Sequence, residues 1–258
     1  MKSILSALIA ASSLGVAAQP VAETLEGTDS VYSAKLVQVL QHWPGRHVRK
    51  PEAGPVELTC IATAEHEKYV GMLQRATIRA PISAVEAVLD DVAHYKDLFP
   101  DLVNVSIVPG SQQGNRYLTS WVQRIPLFFI PNVTYELAYV LDRTTPGRSV
   151  YRYKLGRGDQ LIASDGMVVL EALGPDTTQF TEYDFFHARP VPIPTNVVWR
   201  ESLRGAFRSD IAIKLKSENP GWSYKHIASE GERLVAMESE RIEQCFAERR
   251  SAGLSDAL

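Results

Sequence analysis

The chain has 258 residues, 45% of them hydrophobic, 22% charged and 9% aromatic, which is the makeup of a globular protein and excludes a disordered, collagenous or coiled-coil chain. With 30 acidic and 27 basic residues the formal charge is −3, which gives no general footing for a nucleic acid, whose binding requires several phosphates to be neutralised. The continuous apolar stretch at residues 4–18 is shorter than the ~20 residues a membrane-spanning helix needs.

That stretch instead has the layout of a secretory signal. Lys2 places a positive charge ahead of the apolar run, and Val16, Ala17 and Ala18 are small residues where a signal peptidase reads, so cleavage after Ala18 is expected. The short leading region with its single lysine resembles bacterial signals, which makes the expected location periplasmic or secreted; without a cysteine in the segment, no lipoprotein anchor is available. Residues 19–28 read as a polar linker. Asp29 or Ser30 then caps a helix whose apolar residues Tyr32, Leu36, Val39, Leu40 and Trp43 recur at three and four, before Pro44 and Gly45 end it.

Two extended segments follow, around 56–63 and 69–79, the second alternating Met72, Gln74, Ala76 and Ile78 against Leu73, Arg75, Thr77 and Arg79. After Pro81, Ser83 and Glu86 have the spacing of a capping box, opening a helix with Val85, Val88, Leu89 and Val92 on one face. A second short helical piece runs over His94 to Phe99 and stops at Pro100. Strand-like runs near 102–108, 114–124, 132–142, 149–155, 160–173 and 177–187 are separated by turn residues and read as an antiparallel meander. From Pro194 the period becomes helical: Trp199, Leu203, Phe207, Ile211 and Leu215 form an i+4 ladder, ended by Asn219, Pro220 and Gly221. A last helix is expected near 223–250 with Leu234, Met237, Ile242 and Phe246 inward.

Cys60 and Cys245 are the two cysteines. In an exported chain they are a candidate long-range disulfide; equally, Cys60 lies in an apolar run and Cys245 shares a helical face with Ile242 and Phe246, so both suit burial as small hydrophobes. Neither has a ligand partner at metal-binding spacing, and no metal or cofactor is expected. There is no G-x-S-x-G, H-E-x-x-H, phosphate-binding glycine loop or dinucleotide fingerprint. His42 with His47, and Glu65-His66-Glu67, fall in turn regions. Asp184 and His187, beside Tyr183, point to opposite faces of a regular strand and make a poor acid–base pair.

The order of elements, with the segments Ala76-Thr77-Ile78-Arg79-Ala80-Pro81, Val88-Leu89-Asp90 and Tyr95-Lys96-Asp97-Leu98-Phe99-Pro100, resembles the helix-grip fold of the START and coenzyme-Q-binding/polyketide-cyclase superfamily. The resemblance covers about residues 66–217. Arg124-Ile125-Pro126 and Ile193-Pro194 match more loosely, Val133-Thr134-Tyr135 stands where many members carry an Arg-Asp pair, and the helices at 29–43 and 223–250 are additions. It implies an α+β helix-grip domain at 56–218, preceded by a linker and helix at 19–55 and followed by a helical extension at 219–258.

A curved sheet gripping one long helix leaves an elongated apolar cavity. Alternation places Tyr135, Leu137 and Tyr139 on one strand face, taken as inward. Tyr117, Trp121, Tyr151, Tyr153, Tyr183 and Phe185 on other strands, and Trp199, Leu203 and Phe207 on the long helix, are expected to complete the wall, or else to fill a closed core. Leu127, Phe128, Phe129 and Ile130, bracketed by Pro126 and Pro131, are poor strand material; they form a cavity mouth with transient membrane contact, or a lid over the core. The expected function is binding or transfer of a lipid, sterol, quinone or polyketide in the periplasm; the alternative is a cyclase/dehydratase-type enzyme using the same cavity.

Overall fold

The computed structural model describes residues 56–61, 70–125, 131–189, 195–240 and 243. The signal segment, the helix expected at 29–43, Leu127 to Ile130, and Cys245 lie outside the described residues, so the disulfide expectation lies outside them as well.

The elements are β1 (Glu57–Ile61), β2 (Val70–Ile78), α1 (Ile82–Asp90), a 3-10 turn (Val92–His94), α2 (Tyr95–Leu98), β3 (Leu102–Ile107), β4 (Arg116–Gln123), β5 (Val133–Asp142), β6 (Arg148–Gly158), β7 (Leu161–Gly174), β8 (Thr177–Ala188), α3 (Thr195–Glu218) and α4 (Tyr224–Met237). The eight strands form one antiparallel sheet in the order β1-β2-β8-β7-β6-β5-β4-β3. Strands β3 to β8 are a meander of consecutive neighbours. The β1–β2 hairpin joins along β8, so the two helices between β2 and β3 span the width of the sheet.

The period-two and period-3.6 patterns meet in one core. Met72, Ala76 and Ile78 of β2, Phe180 of β8, Leu170 and Val168 of β7 and Tyr151 of β6 pack against Leu203, Phe207, Ile211 and Leu215 of α3. Helix α3 is therefore the element gripped by the sheet. Its C-terminal end is tied to β2: Lys214 Nζ donates to the Thr77 carbonyl at 2.5 Å, and Glu218 Oε1 accepts from Arg79 N at 2.8 Å.

Two local expectations are corrected. The Ser83–Glu86 capping box does not form: Pro81 occupies the N-cap with no side-chain bond, its carbonyl accepting from Ala84 N at 2.9 Å. Glu86 is drawn away to Arg143, 3.3 Å from its Nε, and accepts from Ser149 Oγ; a charged partner and a buried hydroxyl outcompete a single exposed cap. In α4 the inward residues are Ile227, Gly231 and Val235, whereas Met237 is 67% exposed. The face is set by the i+4 ladder from Ile227, which Met237 does not share.

Candidate functional site

Register fixes which side chains look toward α3. One row crosses the sheet as Tyr117, Tyr139, Tyr153, Gly166, Asp184 and Met72. The adjacent row is Leu141, Tyr151, Val168, Glu182 and Gln74. Since Met72, Tyr151 and Val168 belong to the core with α3, both rows lie on the inner face.

The β4–β6 end of this face is an aromatic wall. Tyr117 stacks on Tyr139 with ring centroids 5.1 Å apart and planes within 2°. Trp121 stacks on Tyr135 at 5.9 Å. Tyr153 tilts against Tyr139 at 5.5 Å, and Tyr95 of α2 closes on Trp121 at 5.8 Å. Such pairs add about 0.5–1.5 kcal/mol each beyond the area they bury. Three polar tips are met locally: Trp121 Nε1 donates to Thr119 Oγ1 at 2.6 Å, Tyr135 Oη to Gln123 Oε1 at 3.1 Å, and Tyr95 Oη to the Leu89 carbonyl. Burial pushes the phenols of Tyr95, Tyr117, Tyr135 and Tyr139 up, so they stay protonated donors. Tyr135 and Tyr139 sit deep among protein groups, which desolvates their phenols, yet keep accessible surface, as side chains lining a concave face do.

The β8 end of the same face is acidic. Glu182 and Asp184, two apart, both turn inward, and Asp210 faces them from α3 with 1% exposure. The Asp210 and Glu182 carboxyls lie close together, an arrangement that favours a proton on one of them. Tyr153 Oη donates to Glu182 Oε1 at 3.2 Å and also bonds Asp184. Burial, with the neighbouring Glu182 charge second, pushes the Asp184 carboxyl up to about 8; burial and then Glu182 raise Asp210 as well. Even so, Asp184 Oδ1, both Asp210 oxygens and the Gln74 carbonyl oxygen are buried without a hydrogen-bond partner. Gln74, with 0% exposure, has its amide nitrogen 3.6 Å from Met72 Sδ, a weak acceptor.

Gly166 makes this arrangement possible. A Cβ there would sit 2.1 Å from Tyr153 Cζ and 2.3 Å from its hydroxyl. The bare backbone lets the Tyr153 ring lie across β7 and bring its hydroxyl to the acids of β8.

The candidates from the sequence separate into groups. Tyr117, Trp121, Tyr135, Leu137, Tyr139 and Tyr153 share the inner face, with Trp121, Tyr135 and Tyr139 keeping accessible surface. Tyr151, Leu203 and Phe207 also face inward but are packed in the core. Tyr183 and Phe185 are corrected: they pair with Met167 and Asp165 on the opposite face, and a hydrogen bond from Arg75 further fixes Tyr183 there. The physical reason is that β8 carries aromatic residues on both faces, so its apolar content alone does not choose one, and pairing with β7 and β2 does. Trp199 begins the second turn of α3, and its side chain is outside the described residues, as is that of His187.

Glu182, Asp210, Gln74 and Gly166 were not among the candidates, and Asp184 was weighed only as an acid–base partner of His187. The available signals were a glutamine on the Met72–Ala76–Ile78 face of β2 and a glycine in the middle of a strand, which marks a close approach. Among the described residues no group of three His, Cys, Asp or Glu is arranged to hold a metal ion.

A second ionic cluster closes the end of the sheet near α1. Arg143 Nη2 donates to both Asp90 oxygens at 2.7 and 2.8 Å, stands 5.2 Å from the Tyr151 ring centroid, and bonds the Tyr151 hydroxyl. The opposite end gathers the end of β4, the start of β5, the β6–β7 turn, the end of β8 and the start of α3. There Ile162 is 51% exposed.

No protein-family model matches the sequence, and no curated protein matches it. Solved structures do match the fold. Human STARD10 superposes with a TM-score of 0.57 at 13% identity, over 78% of this chain and 84% of its own. Human StAR-related lipid transfer protein 5 gives 0.55 at 13% identity, over 77% and 95%. The STAR-related lipid transfer protein of Xanthomonas axonopodis gives 0.54 at 14% identity, over 64% and 94%. The architecture is the α+β helix-grip fold of START-like proteins.

Proposed function

We propose that this chain, a START-like helix grip, binds a hydrophobic small molecule between its sheet and α3 and carries it outside the cytoplasm. The observation that supports the reading best is the aromatic wall of Trp121, Tyr135 and Tyr139: packed rings on the inner face that retain accessible surface. Structures sharing the fold include proteins described as lipid transfer proteins. The signal-like segment at 1–18 supports export. The Arg143–Asp90 cluster fastens one end of the grip, which leaves the end bearing Ile162 as the mouth. The sequence of residues 127–130 suits contact with a donor membrane, since burying four large apolar side chains contributes ~25 cal/mol per Å².

Native mass spectrometry of the protein purified from its own source tests this reading. Retention of one apolar molecule is the expected result; a ligand-free protein that takes up neither a fluorescent sterol nor a fluorescent phospholipid would overturn it. A second reading, a cyclase/dehydratase-type enzyme, has one observation in its favour. Asp184, pushed up to about 8, holds a proton at neutral pH beside the inner space, as a general acid must. Chemical change of the retained molecule, seen as a mass difference after incubation, would favour it.

A further inference from the structure

We infer that the inner space selects its ligand by a cationic end: the Glu182, Asp184 and Asp210 cluster receives the ammonium group of an amine whose apolar body lies along the aromatic wall. This rests on the hydrophobic-ligand reading and specifies the substrate class of the same site.

Three observations carry it. The first is stoichiometry. Three carboxyls and the Gln74 carbonyl oxygen face inward, while the protein donors reaching them are the Tyr153 hydroxyl and the Phe185 backbone N–H. The buried atoms left without partners in the cluster are all acceptors: Gln74 Oε1, Asp184 Oδ1, and Oδ1 and Oδ2 of Asp210. A buried acceptor left unmet costs free energy, so the complement is a group rich in donors. An ammonium has three and accepts none.

The second is charge. The charges acting most strongly on Asp184 are those of Glu182 and Asp165, and on Asp210 those of Glu182 and Asp184. The nearby cations of α3 are committed elsewhere. Arg208 pairs with Asp101 at 3.1 Å and Glu232 at 2.6 Å. Lys214 pairs with Glu218 at 2.5 Å. A carboxylate or phosphate end would add negative charge to a site whose own titrating groups are all acids, whereas an ammonium permits those acids to ionise as pairs.

The third is the wall. Tyr139 and Tyr153 stand in the same row as Asp184, and their ring faces attract a cation that a neutral hydroxyl does not exploit. Amine is thereby favoured over alcohol, and alcohol over acid.

The test uses the whole exported chain with Nile red as a neutral reporter, displaced by dodecylamine, 1-dodecanol or dodecanoate below their micellar concentrations. The expected result is displacement by the amine at a concentration at least about tenfold lower than the alcohol, with dodecanoate weakest. The preference should persist in about 0.5 M salt, where attraction to surface charge is screened. In Asp210→Asn with Glu182→Gln the amine-to-alcohol ratio is expected to fall to within about threefold. Equal displacement by amine and alcohol, a lead for dodecanoate, or an undiminished ratio in the double variant overturns the inference. The wild-type ranking decides independently of how the variant folds. Failure of Nile red and all three competitors to bind removes the hydrophobic-ligand reading and this inference together, whereas binding without rank removes this inference alone.

Discussion

The two ends of the inner face are built on opposite terms. Around β4 to β6, three polar tips have local partners: the Trp121 indole on Thr119, the Tyr135 phenol on Gln123, the Tyr95 phenol on the Leu89 carbonyl. Around β8 and α3, carboxyl oxygens of Asp184 and Asp210 and the Gln74 carbonyl oxygen are left unmet. The aromatic end meets these tips within the fold, whereas the acidic end leaves buried acceptors unmet. Stability and selectivity are thus divided along one surface, as buried polar groups whose cost exceeds their structural gain are commonly retained for what they bind.

The largest effect that would sharpen this contrast is the dependence of stability on pH. The folded chain holds the Asp184 proton up to about pH 8, pushed there by burial and by the Glu182 charge, with Asp165 adding to the shift and the Tyr153 hydroxyl opposing it; Asp210 is raised by burial, Glu182 and Asp184. An unfolded carboxyl lets its proton go near pH ~4. Between those values the native state binds more protons, so stability is lost as pH rises from about 4 to about 8, by a few kcal/mol, and levels off above. Urea midpoints should show that fall in the ligand-free wild type and a much flatter profile in Asp184→Asn with Asp210→Asn. A wild-type profile rising through the same range would contradict the acidic end as described.

Next in size is Gly166→Ala. The new methyl meets the Tyr153 ring at 2.1 Å, and overpacking of this kind costs about 1–3 kcal/mol. Urea denaturation of the single variant, and of the same variant carrying Tyr153→Leu, checks the cause: the loss should shrink when the ring is gone. An equal loss in both backgrounds would point to the strand backbone instead.

The smallest effect belongs to the aromatic end. Trp121→Phe removes the indole N–H that Thr119 Oγ1 accepts at 2.6 Å while keeping a ring against Tyr135 and Tyr95, and should cost about 1 kcal/mol. Its effect on thermal melting should be the same at pH 5 and pH 8, because no titrating group of the acidic end is touched. A pH-dependent effect would join the two ends that are separated here.

Much of this fold was legible because it follows from period. Alternation and turn residues located β2 to β8, and the 203–207–211–215 ladder located α3 and its inward stripe. The site was legible at the aromatic end for the same reason, since Tyr135, Leu137 and Tyr139 mark one face of β5. It was hidden at the acidic end because alternation is read by putting apolar residues inside. In β8 the run Glu182-Tyr183-Asp184-Phe185 then points the wrong way. Only pairing with Gly166 and Met167 of β7, and with Gln74 and Met72 of β2, reveals that the acids face α3. Pairing is a long-range property that no local window contains. Asp210 was hidden by its place in a helix rich in charge, between Arg208 and Lys214, whose own partners lie elsewhere.

The ring of Tyr153 resting on bare backbone at 166 also sets an order in which these two positions can change. While the tyrosine is present, any side chain at 166 must displace it, so substitution there is barred by its neighbour and not by its own strand. Once position 153 has become small, 166 is free to acquire a side chain, and a return to tyrosine is then blocked in turn. The pair behaves as a ratchet in sequence space: the first step removes the ring that reaches Asp184, the second puts a new side chain where it lay, and the original arrangement cannot be regained without first restoring glycine.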